Sequence, residues 1–177
     1  MEFPRDEDNQ IFAKFTNRIE KIVLQYEKLE LPKGEKFEVT LYIIALQSLL
    51  TQCIELHDPM EKADGEKNIL AKSVTAPPGL WGIHEELIKE NTFNEKPFTY
   101  FKLLVHIRHA LSHPTEQLKS YSTGYTTTGD DPSEKIKAFR FVHVPDKNRV
   151  FIIEIPVKTI RELVLGLSDF LTTANTK

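Results

Sequence analysis

Cysteine is nearly absent: Cys53 is the only one in 177 residues, so no internal disulfide can form. Lying in the apolar run LYIIALQSLLTQCIEL, it reads as a buried, inert thiol of a reducing cytoplasm. Long apolar runs are lacking too. No stretch reaches the roughly 18 residues that a membrane-spanning helix needs, and the acidic opening MEFPRDEDNQ has no apolar segment behind it. Neither membrane insertion nor secretion is therefore expected. A Gly-rich phosphate loop, a G-x-S-x-G elbow and a Cys–His pairing are also missing, which leaves P-loop nucleotide hydrolysis and acyl transfer without support.

An overall basic excess is missing as well. The net charge is −3, and the pI near 6.1 is not that of a dedicated nucleic-acid binder. The distribution is less even than the sum, because residues 96–149 hold nine Lys or Arg against five Asp or Glu. That basic half points weakly to a polyanionic ligand. Hydrophobic residues at 40% and charged residues at 28% are those of an ordinary globular protein. The length suits one core, so a single domain over residues 1–177 is expected.

Apolar residues at helical spacing predict helices over residues 8–31, 36–57, 59–72 and 80–90. A further helix starts near Pro97 and ends before Pro114, which disfavours helical geometry at the residue preceding it. Residues 119–135, rich in Ser, Thr and Gly, read as a flexible loop. The segments AFRFVHV and RVFIIEI, joined by PDKN, predict a β-hairpin over about 138–155. Alternation in its first strand sets Phe139, Phe141 and His143 against Arg140 and Val142. A last helix covers about 157–172.

The chemistry is concentrated in FKLLVHIRHALSHPT, residues 101–115, where three of the six histidines stand within eight residues. At about 100° per residue, Lys102, His106, His109 and His113 fall on one stripe of the helix. Phe101, Leu104, Val105, Ile107 and Leu111 are left for the core. Arg108 and His113 then point roughly 140° apart. To meet at one atom they need a distorted last turn, or a second copy of the helix across a two-fold axis. His106, His109 and His113 at i, i+3 and i+7 have the reach of a zinc ligand set, but HALSH lacks the Glu of H-E-x-x-H, and no metal and no cofactor is expected. His57, His84 and His143 are isolated and carry no assigned role.

The segment RHALSH, Arg108 to His113, resembles the R-x4-6-H motif of the HEPN superfamily, with the strongest likeness over about residues 98–115. The resemblance implies a mainly α fold, an antiparallel helical bundle to which a small two-stranded hairpin is added before the last helix. It also implies a metal-independent endoribonuclease of the toxin–antitoxin or phage-defence kind, built as a homodimer and restrained by an antitoxin or regulatory protein. Arg108 takes the motif arginine and His113 the motif histidine. His109 stands in the polar position where the family most often has Asn or Asp. Imidazole suits either proton role near neutrality, and guanidinium suits a phosphorane. Lys102, His106, Tyr121 and Tyr125 are candidate RNA-binding groups, the tyrosines as stacking platforms. A non-catalytic HEPN-like module binding a nucleotide or a protein remains the alternative.

Overall fold

The computed structural model describes residues 5–30, 38–55, 69–112, 124–128 and 136–174. Within them lie four helices: α1 (Arg5–Glu27), α2 (Glu38–Glu55), α3 (Tyr100–Ser112) and α4 (Val157–Ala174). Four strands, β1 (Ile88–Asn91), β2 (Gly124–Thr128), β3 (Ala138–Asp146) and β4 (Arg149–Pro156), form one antiparallel sheet in the order β1-β4-β3-β2. The expected helical bundle with a two-stranded hairpin is thus corrected. The hairpin is the middle of a four-stranded sheet.

Both added strands come from segments whose local pattern misleads. Residues 80–90, read as a helix, instead form a tight turn, a short 3-10 turn at Glu85–Leu87 and then β1. Gly79, Trp81 and Gly82 take φ of +65°, +53° and +76°, which no α-helix can hold, and Leu80 and Ile83 bond each other's backbones across the turn. The supposed loop at 119–135 contributes β2, whose Gly124 to Thr128 pair with Val142 to Ala138 of β3. β-branched threonines suit such an edge. Of the helix expected at 59–72, only residues 69–72 fall within the described residues, and Ile69–Ala71 there form a 3-10 turn.

Helices α1, α2 and α4 pack on one another, while α3 lies between α2 and the sheet, against β3 and β2. The main core joins Leu46, Leu49, Leu50, Ile107, Leu163 and Leu167 from the helices to Phe141, Phe151 and Ile153 from the sheet. Opposite-facing Val142, Val144, Val150 and Ile152 form a second buried cluster, as strand alternation requires. Cys53 is fully buried, and that burial pushes its thiol up to about 12.

Among the three packed helices, polar groups fix the register. Thr16 donates to Gln52 at 2.8 Å, and Ser168 donates to the Thr16 carbonyl. Glu27 accepts two bonds from Arg161, at 2.6 and 2.8 Å, and one from the Tyr42 hydroxyl at 2.7 Å. The hydrogen bonds from Arg161 to Glu27 raise the arginine's pKa, so its guanidinium stays charged. The Arg161 side chain is 38% exposed, which weakens the attraction. A double-mutant cycle of Glu27→Gln and Arg161→Met, read by urea unfolding, is expected to give a coupling of about 1 kcal/mol or less, shrinking with salt.

Candidate functional site

Thr99 caps α3, its hydroxyl accepting from the Lys102 amide three residues on. From there the helix runs to Ser112 and carries Lys102, His106, Arg108 and His109 past the sheet. Its buried side is Tyr100, Leu103, Leu104, His106, Ile107, Ala110 and Leu111, while Phe101 and Val105 are only half-buried. The stripe expected to face outward is therefore covered at one edge. His106 is 3% exposed, because β3 lies over it.

What covers it is aromatic and imidazole. His106 Nδ1 stands 2.8 Å from His143 Nδ1 on β3. Phe151 of β4, the register partner of His143, stacks on the His106 ring with centroids 4.6 Å apart and planes 18° off parallel. Phe93 meets the same ring edge-on at 4.3 Å, and Phe98 lies beyond it at 6.0 Å. Both phenylalanines come from the segment between β1 and α3, which also brings Glu95 Oε2 to 3.5 Å from His106 Nε2. Thr92 ties that segment to β4, its amide donating to the Val150 carbonyl and its hydroxyl accepting from the Val150 amide.

The half-buried His109 stacks its ring on His143, centroids 4.6 Å apart and planes 13° off parallel. Arg108, beside it in the chain, is half-buried at the edge of the core. Lys102 directs its ammonium back to the Pro97 carbonyl at 2.9 Å. His113 and Tyr121 lie outside the described residues, and Tyr125 belongs to β2. Among the described residues, no three His, Cys, Asp or Glu side chains stand where they can hold one metal ion.

Two groups escape the sequence reading, His143 and Glu95. His143 is 37 residues from His106 and reaches it only through the pairing of β3 with β4. The one available signal is its place in the alternation, on the same side of β3 as the buried Phe139 and Phe141.

Burial first, and the charge of His109 second, lower the His106 pKa from 6.5 to about 4. Unfolded, the same imidazole takes a proton near 6.5. The unfolded chain therefore binds more protons between these values, and stability is full above about pH 6.5 and lost as pH falls toward 4. That window corresponds to about 3 kcal/mol from this one group. Urea unfolding at about pH 7 and about pH 4.5 is expected to show a loss in the wild type that His106→Gln largely removes; equal slopes would refute it.

Over its whole length, residues 1–177, the sequence matches the family described as HEPN pEK499 p136. The chain belongs to that family. No curated protein and no solved structure gives a match. The HEPN module here thus combines its helices with a four-stranded antiparallel sheet, whose β3 and β2 pack on the helix that bears Arg108 and His109. Among the described residues, no helix is long and apolar enough to cross a membrane.

Proposed function

We propose that this chain is a metal-independent endoribonuclease of the HEPN type. The observation that carries the reading is the family match over the whole chain, taken with Arg108 and His109 toward the C-terminal end of α3. The ribose 2′-hydroxyl attacks the adjacent phosphorus, its proton passes to an imidazole, and the bond to the 5′-oxygen breaks as that oxygen gains a proton. His113 fills the acid or base role. Arg108, permanently charged and forked, neutralises the phosphorane, and His109 orients it or binds phosphate. Products are a 2′,3′-cyclic phosphate and a free 5′-hydroxyl.

On an ideal helix Arg108 and His113 would point roughly 140° apart, a spacing that supports a homodimer in which each protomer supplies part of a site. RNA is the substrate, with Lys102, Tyr121 and Tyr125 near its path and the buried His106 out of its reach, in a cytoplasmic protein of toxin–antitoxin or phage-defence type that an antitoxin or regulatory protein restrains. The test is cleavage of total cellular RNA by the purified protein in EDTA, beside Arg108→Ala and His113→Ala. Wild-type cutting that both folded variants lose upholds it. No cutting, or equal cutting by the variants, favours a non-catalytic binding module.

A further inference from the structure

The buried histidine contact between α3 and β3 has no part in the motif, yet it fixes where protons can sit. His106 Nε2 and Glu95 Oε2 are both buried, neither makes a hydrogen bond among the described residues, and they stand 3.5 Å apart. A carboxylate oxygen facing an imidazole lone pair in a dry site is repulsive, whereas the same oxygen facing an N–H is attractive. His106 therefore carries its proton on Nε2. Its Nδ1 is left as an acceptor, so the 2.8 Å contact needs the proton on His143 Nδ1. Phe151, Phe93 and Phe98 hold the His106 ring in the one plane in which both contacts are made.

The order continues beyond His143. The ring of His109 lies almost parallel on it, so whatever fixes the plane of His143 fixes the plane of His109. We propose that His143 is a positioning residue of the RNA-cleaving site, the end of a chain Glu95–His106–His143 that sets its tautomer and, by stacking, aims His109 beside Arg108. This rests on the ribonuclease reading. Among the described residues, the charged and titratable groups about it are His106 and His109 from α3, Glu95 beyond His106, and, across Phe93, Arg149 of β4 paired with Asp146 of β3.

Nitrogen-15 NMR of the histidine rings in the full chain tests it without any activity. Near neutral pH, His106 is expected as the Nε2–H tautomer and His143 as Nδ1–H. Glu95→Leu, which leaves nothing to accept from Nε2–H, is expected to shift His106 toward Nδ1–H and His143 toward Nε2–H. A His106 that carries its proton on Nδ1 in the wild type, or tautomers indifferent to Glu95→Leu, overturns the chain. On RNA, His143→Leu is expected to lower kcat about tenfold, less than the loss of a proton-transferring group itself, with KM unchanged and the pH–rate limb displaced. His143→Phe, which keeps a flat ring to stack on His109, restores part of the rate. A His143→Leu protein that folds and keeps the wild-type rate and pH profile overturns the positioning role. A wild type that cuts no RNA removes the ribonuclease reading and that role together, and the tautomers then still decide the chain.

Discussion

Replacing Arg108 by alanine is expected to lower RNA cleavage by about 10²–10³-fold, the usual loss when one preorganised donor to a developing oxyanion is removed. The loss should appear in kcat rather than KM. Ground-state phosphate already carries one negative charge and is held by several basic groups, whereas the phosphorane carries more charge and depends on a fixed, forked cation. Arg108→Lys is expected to recover little of the rate, because an ammonium cannot present two parallel N–H groups. The measurement is single-turnover cleavage of a defined RNA in EDTA, with dimerisation and thermal unfolding checked for each variant. If Arg108→Ala changes KM alone, Arg108 only binds RNA. If it changes neither, the guanidinium is an edge-of-core packing group, as its half-buried position allows.

The second large effect is on stability. Phe151 is fully buried, pairs in register with His143, and carries the His106 ring on its face. Phe151→Ala removes that ring from a packed site and is expected to cost about 3–5 kcal/mol. For a chain of this size, that is a fall of about 6–20 °C in Tm. A separate consequence distinguishes this position from other core phenylalanines. Burial is the main reason that His106 titrates near 4, so opening the cavity should let water in and move its pKa up toward 6.5. Phe141→Ala, an equally buried change on the neighbouring strand, serves as the control. Proton titration by NMR, below the unfolding temperature of each variant, separates the two. A His106 that still titrates near 4 in Phe151→Ala would mean that the remaining aromatics suffice to keep it dry.

The four described helices were legible because each carries an apolar stripe at a period near 3.6, and their predicted ends lie within a few residues of those observed. The hairpin was legible for the matching reason at period two. The other strands were not. Leu80, Trp81, Ile83, Leu87 and Ile88 recur at helical spacing, and only the left-handed backbone at Gly79, Trp81 and Gly82 shows that no helix passes there. In GYTTT, nothing local marks the pairing with β3 that makes it a strand. The same distinction divides the site. Arg108 and His109 are adjacent in the chain, so a sequence reading can nominate them. His143 and Glu95 meet His106 only through the sheet, and one-dimensional spacing is blind to contacts closed by a partner strand.

The close fit of Trp81 shows how completely α4 is committed to its seat. A Cβ at Gly166 would collide with the Trp81 indole, so the bare backbone of α4 lies directly on the ring, and Phe170 meets the same indole edge-on at 6.2 Å. Trp81 is also the only tryptophan in the chain. The intrinsic fluorescence of this protein is therefore an optical gauge of one joint, the seating of the final helix on the turn before β1. A change of emission that precedes loss of helical circular dichroism would mark that joint as the first to part, while the imidazoles under the sheet stay in place.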